Sequence, residues 1–212
     1  PMKLYNYFRS GTSHRLRIAL NLKGLDYEYV AVNLLKDEQF QDSFRKINPQ
    51  GFVPALDDEG KILTQSPAII EWLEEKHPEP PLLPNGHLER QHVRAIAAII
   101  GSDIHPLNNR RVLQNLRKNF GANEDAIHAW CAQWITEGFD TIESIVRKDE
   151  HRQGFCFGST PTIADVYLIP QIESARRFKI KLEQWPNILA IEDNCLALNA
   201  FRLASPSLQL DA

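Results

Sequence analysis

Lys3-Leu-Tyr-Asn-Tyr7, then Ser13-His-Arg-Leu-Arg-Ile-Ala-Leu-Asn-Leu-Lys23 with Gly24, then Tyr27-Glu-Tyr-Val-Ala-Val32 is the stretch whose reading decides the fold. The first piece is short and aromatic, as strands are. The second is made of good helix formers, and Gly24 stands where a helix C-cap belongs. The third alternates like a strand. Strand, helix and strand within about thirty residues make a βαβ unit, so the two strands are expected to be parallel with a right-handed crossover.

Outward from this unit, Asp37 to Ile47 reads as a short helix of weak pattern. Asn48-Pro-Gln-Gly-Phe-Val-Pro54 is a loop. Ala55–Asp57 and Lys61–Leu63 flank Asp58-Glu59-Gly60, a hairpin signal. Ser66 and Pro67 open a helix that runs over 68–77. The order βαβ, α, ββα is that of a thioredoxin-like domain, here spanning 2–79. Residues 78–86 carry Pro78, Pro80, Pro81 and Pro84 and read as a linker.

Residues 87–212 show no strand pattern and are expected to form an all-helical domain. Val93, Ile96, Ala97, Ile100, Ile104 and Leu107 recur at three- and four-residue steps along one long helix, kinked at Pro106. A second helix covers 124–149. Thr162 and Asp165 form a cap for a third, ending near Arg177. A last helix is expected over 187–203. The fold class is therefore α/β followed by all-α.

The 212 residues carry a net charge of −3 and are 43% hydrophobic. That is an ordinary globular balance, with no basic surface suited to nucleic acid. No stretch reaches membrane-helix length and no signal core opens the chain, so a cytoplasmic location is expected. Pro1 precedes Met2, the expected natural start. Cys131, Cys156 and Cys195 fit neither a disulfide framework nor a zinc pattern, and read as reduced buried thiols.

Six motifs in order narrow the reading. Tyr7-Phe-Arg-Ser10-Gly-Thr12-Ser-His-Arg-Leu-Arg-Ile-Ala-Leu20 resembles the zeta-class glutathione transferase signature Arg-Ser-Ser-Cys-Ser-x-Arg-x-Arg-Ile-Ala-Leu. Asn48–Pro54 resembles that class's Asn-Pro-x-x-x-Val-Pro segment, and Gln65-Ser66-Pro67-Ala68-Ile69 its Gln-Ser-x-Ala-Ile. Ile104-His105-Pro106-Leu107-Asn108-Asn109 resembles Ile-Gln-Pro-Leu-x-Asn; Thr162–Asp165 and Arg177-Phe178 also fit. The resemblance covers essentially the whole chain, and implies the glutathione transferase fold. It also implies cis–trans isomerisation of a maleyl dicarboxylate to its fumaryl isomer, with glutathione as a recycled cofactor, by thiolate addition, bond rotation and elimination. A homodimer and a role in aromatic compound degradation are implied too. Two departures stand out. Gly11-Thr12 replaces the family's Ser-Cys pair, and Arg110-Arg111 come after the proline kink. Both lean toward maleylpyruvate, the smaller dianion, over maleylacetoacetate.

Residue by residue, Ser10 lies between the first strand and helix, where free N–H groups and partial positive charge lower a thiol's pKa. Its hydroxyl can donate to a thiolate, with Gly11 and Thr12 beside it, or it can simply cap the helix. A cis Pro54 would let Val53 pair with the peptide-like glutathione. Gln65 and Ser66 open a helix suited to the γ-glutamyl carboxylate, and Gln39 is a candidate for the glycyl end. Arg9, Arg111 and Arg177 are candidate forks for two substrate carboxylates. Arg110 and Arg176 are expected to face solvent, and Arg17 to have a structural ion pair. His105 and Asn109, four residues apart, are expected on one helical face, with Asn109 serving an enolate oxygen and His105 a glutathione group or substrate carbonyl. No metal is required. The rival readings are a general transferase conjugating small electrophiles, a glutaredoxin-like oxidoreductase, which needs a cysteine that positions 9–15 lack, and a non-catalytic module of the same fold.

Overall fold

Leu4 and Asn6 are fully buried while Lys3 and Tyr5 are only half covered, the alternation of a strand with a wet face. The structure is a computed structural model describing residues 1–212. It builds a four-stranded sheet around this strand, β1 (Met2–Asn6). Parallel to it runs β2 (Tyr27–Ala31), with Leu4 opposite Tyr29; antiparallel on its other side runs β3 (Ala55–Asp58), with Leu4 opposite Leu56. β4 (Lys61–Thr64) closes the order β2-β1-β3-β4. Glu59 and Gly60 turn the β3–β4 hairpin at φ values of 53° and 84°, the paired left-handed conformation a two-residue hairpin needs.

The crossover helix α1 (Gly11–Leu22) buries Leu16, Ile18, Ala19 and Leu20, and ends into Gly24 at φ 67°. Residues 37–47, expected as one short helix, hold instead a 3₁₀ turn, Glu38–Phe40, and a single α turn, α2 (Asp42–Arg45), after a first 3₁₀ turn at Leu34–Lys36. Asp37 sits at φ 55° and Gln41 is extended, and a helix continues through neither. α3 (Ser66–Lys76) buries Ile69, Ile70 and Leu73 and packs on α1.

The second compact unit, Leu83–Cys195, is helical. The expected long helix begins as α4 (His87–Ala98), passes through a π-helical turn at Ile99–Ile104 and ends as α5 (His105–Asn108). α6 (Arg110–Phe120) then starts afresh. Pro106 has no N–H to offer and its ring crowds the preceding turn, so the disturbance is wider than a kink. α7 (Glu124–Lys148) carries Gly138 toward this turn; a Cβ there would lie 2.2 Å from Ile104 Cδ1. α8 (Ile163–Arg177) is capped as expected. The buried Asp165 carboxylate accepts from Thr162 N–H at 2.8 Å and Cys156 N–H at 2.9 Å.

The expected last helix is broken. α9 (Pro186–Leu196) stops, Leu198 is extended, and α10 (Asn199–Arg202) begins a tail. That tail, Leu196–Ala212, belongs to the first compact unit with Pro1–Leu82. The sequence alone divides the chain at 78–86 and runs the helical domain to 212, whereas by compactness the tail groups with the first unit. The cause is apolar: Phe201 is fully buried, and α10 packs on α1.

Candidate active site

Ser10 is the N-cap of α1, its Oγ accepting from Ser13 N–H at 3.1 Å. The same Oγ lies 3.1 Å from Thr12 Oγ1, and Thr12 Oγ1 donates to the carbonyl of Val53 at 2.9 Å. Each hydroxyl has one hydrogen. Thr12's is given to Val53, so in the Ser10–Thr12 pair Ser10 is the donor. The Ser10 hydrogen is therefore the one that can turn to an incoming anion while its oxygen keeps the cap. No acidic residue occupies the first turn of α1, so nothing there opposes a negative charge at the helix start. Arg9 is exposed, and its guanidinium stands 5.2 Å from the centroid of the Phe8 ring.

Val53, Gln39, Gln65 and Ser66, also expected to hold glutathione, lie in the same unit. The Val53–Pro54 peptide is cis and Val53 is buried. Gly51, at φ 70°, lets this loop meet the Gln39 turn, where a Cβ would sit 3.0 Å from the Gln39 carbonyl oxygen. Gln39 is buried and its Oε1 has no partner. An acceptor stranded in this way calls for an N–H, which the glycyl amide of glutathione carries. Ser66 is buried at the start of α3 and accepts from Arg15 Nη1 at 3.4 Å. Gln65, just ahead, is held at φ 69°, ψ 105°, an uncommon conformation for a residue with a side chain. Its Nε2 donates to Gln50 Oε1 at 2.7 Å. The residues present thus fit a γ-glutamyl tripeptide: helix N–H groups and a cation at Ser66, backbone at Val53, and an unpartnered acceptor at Gln39.

In the helical unit, Arg111 is exposed on the first turn of α6, and Arg177 is the exposed last residue of α8, its Nη2 donating to Ser174 Oγ at 3.0 Å. His105 opens α5 and is half-buried. The shared helical face expected for His105 and Asn109 does not form, because Asn109 leaves helical geometry at φ −75°, ψ 160°. Asn109 instead caps α6, its Oδ1 accepting from Val112 N–H at 3.1 Å. That bond fixes the amide and leaves Nδ2 as the end available to an anion.

Arg17 differs from expectation. It makes no ion pair but is fully buried, donating to Asn6 Oδ1, Tyr7 O, Phe8 O and Ala204 O. Arg176 is not merely solvated, since it grips Glu192 with both Nη atoms at 3.1 and 2.7 Å. Three polar residues beside expected ones in their own units carry no distinct sequence signal. Arg15 reads as helix interior, Gln50 as part of a loop, and Asn108 as half of an Asn-Asn doublet. In the structure Asn108 is buried with Nδ2 unpartnered. The three thiols are buried, and burial raises each pKa, that of Cys131 to about 11. A cavity of about 420 Å³ lined by Asp103, Trp134, Glu137 and Thr141 of the helical unit includes none of the expected site residues.

Residues 4–81 match the family described as glutathione S-transferase, N-terminal domain, and residues 109–191 the corresponding C-terminal domain. The chain is 59% identical to a maleylpyruvate isomerase of Ralstonia sp over 211 residues, covering 100% of both. It is 48% identical to a maleylacetoacetate isomerase of Pseudomonas aeruginosa, covering 99% of this chain and 98% of that one. A solved holo structure described as maleyl pyruvate isomerase, a bacterial zeta-class glutathione S-transferase, superposes with a TM-score of 0.98 at 58% identity, covering 99% of each chain. A Methylobacterium extorquens maleylacetoacetate isomerase solved with malonate and glutathione bound matches at TM-score 0.95 and 36% identity, again over 99% of each.

Proposed function

The chain belongs to the glutathione S-transferase family, and from that premise we infer that it is a zeta-class, glutathione-dependent cis–trans isomerase acting on maleylpyruvate. The observation that carries this is a cysteine-free helix N-terminus in which the Thr12 hydroxyl hydrogen is given to Val53 and that of Ser10 is left to turn toward a sulfur. Glutathione, held by these residues, would supply the nucleophilic thiolate for addition to the double bond next to the carbonyl and would be recovered unchanged.

The chain's own residues have three tasks. Ser10 and the first N–H groups of α1 hold the sulfur as an anion. Ser66, Val53, Gln65 and Gln39 hold the rest of the tripeptide. Arg9, Arg111 and Arg177 take the two carboxylates as bidentate forks and leave the central bond free to turn. In this reading Asn109 Nδ2, left free of the α6 cap bond, donates to the negative charge that builds on the substrate carbonyl oxygen; His105 serves the same end of the substrate or a glutathione group. Maleylpyruvate is favoured over maleylacetoacetate by the Arg110-Arg111 pair at that terminus and by the greater identity to the Ralstonia relative. A homodimer, a cytoplasmic location and a place in aromatic compound degradation complete the proposal.

The test compares rates on maleylpyruvate and maleylacetoacetate, with and without glutathione, while free glutathione is measured. Turnover that needs glutathione without consuming it, faster on maleylpyruvate, is expected. Stoichiometric loss of glutathione would overturn the isomerase reading in favour of conjugation, and faster turnover of maleylacetoacetate would reassign the substrate.

A further inference from the structure

The segment that carries Arg9 and Ser10 leaves β1 at Tyr7 and Phe8, and the tail of the chain holds it there. Phe8 N–H donates to Asp211 Oδ2 at 3.2 Å, a contact across 203 residues of sequence. The other oxygen of that carboxylate accepts from the Tyr29 hydroxyl on β2. The carbonyls of the same dipeptide are held by a second group. Arg17 Nη2 donates to Phe8 O at 3.0 Å and Nη1 to Tyr7 O at 3.4 Å, while Arg17 Nε donates to Ala204 O at 3.1 Å. The tail therefore supplies an acceptor for the Phe8 amide and also an anchor for the arginine that grips the Tyr7 and Phe8 carbonyls. Burial and the Asp211 bond both raise the pKa of Tyr29, which keeps it protonated as a donor.

Arg9 and Ser10 take their places from this hold. Ser10 N–H donates back to Tyr7 O at 3.0 Å, and the Arg9 guanidinium stands over the Phe8 ring. A Phe8 amide released from Asp211 frees the ring that supports Arg9 and loosens the turn that delivers Ser10 to the start of α1. We propose that Asp211 is a positioning residue of the active site, setting Arg9 and Ser10 through the Phe8 amide. Ser66 and Gln65, at the start of α3, stand outside this device and are untouched by it. The proposal rests on the isomerase reading above.

The experiment uses the full chain with Asp211→Ala and Asp211→Asn, beside wild type. Two readouts are taken: kcat and KM for maleylpyruvate and for glutathione, and the ultraviolet absorbance of bound glutathione thiolate titrated against pH. Asp211→Ala is expected to lower kcat/KM for maleylpyruvate about tenfold, the size of one hydrogen bond lost from an ordered turn. It should raise the pH midpoint of the bound thiol, while KM for glutathione stays within about twofold. Asp211→Asn keeps a carbonyl oxygen for the Phe8 N–H and should recover most of the loss. A wild-type rate and titration in Asp211→Ala would overturn the proposal; so would an Asn variant as impaired as the Ala variant. An inactive wild type would sink the isomerase reading instead, and the thiol titration would still report on Asp211.

Discussion

The Thr12 hydroxyl donates to the carbonyl of Val53 at 2.9 Å, joining the start of α1 to the loop before β3. This bond takes Thr12's only hydrogen and leaves Ser10 as the neighbouring hydroxyl able to face a sulfur anion. Ser10→Ala should raise the pKa of bound glutathione by roughly one to two units, since a neutral hydrogen bond to a charged group is worth about 1.5–3 kcal/mol. Isomerisation should slow without ceasing, because the helix N-terminus remains. Thr12→Val should shift the thiolate titration less than Ser10→Ala; the reverse order would move the role to Thr12.

Arg177→Ala should lower kcat/KM for the maleyl substrate by roughly 30- to 1000-fold, the cost of one bidentate carboxylate contact, with little change in KM for glutathione. Ser66→Ala should do the opposite and weaken glutathione first. Steady-state kinetics with each substrate varied separates the two. A kcat/KM within about threefold of wild type in Arg177→Ala would make this arginine a surface residue.

Asn109 has two separable tasks. Its Oδ1 caps α6, a task that Asn109→Gly weakens by only a few tenths of a kcal/mol and Asn109→Ala by about 1 kcal/mol. Both variants remove the Nδ2 donor and put no other in its place. Equal losses in kcat, with a clearly lowered melting temperature only in the alanine variant, are expected. Full activity in Asn109→Gly would confine the residue to capping.

With its pKa pushed up to about 11 by burial, Cys131 is the least perturbed of the three thiols. At pH 8 roughly one molecule in a thousand carries it as thiolate. Native protein should therefore resist alkylation by iodoacetamide and keep its activity, and all three thiols should react once it is unfolded in denaturant. Rapid inactivation of the folded protein would contradict a mechanism without protein cysteines.

Arg17→Ala should destabilise the fold by roughly 3–5 kcal/mol, since it leaves four acceptors without their charged donor. A denaturant midpoint within error of wild type would show those acceptors to be satisfied otherwise.

The βαβ unit, the Glu59-Gly60 hairpin, the Thr162–Asp165 cap and the start of α3 are legible in the sequence because each rests on local terms: strand alternation, helix propensity, a left-handed turn and capping chemistry within four residues. The order of those elements and the six motifs then suffice to place the chain in its family. Tertiary structure decided what depends on distant partners. Residues 37–47 lost their single helix to Asp37 in a left-handed turn, and Asn109 left the helical face shared with His105 to become a cap. Arg17 found carbonyl oxygens in place of a carboxylate, and the end of the chain joined the first unit, bringing Asp211 to Phe8 across 203 residues. Nothing local announces such a contact: loop-closure entropy rises only slowly with chain length, so a distant carboxylate competes well with a near one, and the burial of Phe201 and Ala204 as α10 packs on α1 decides which arrives.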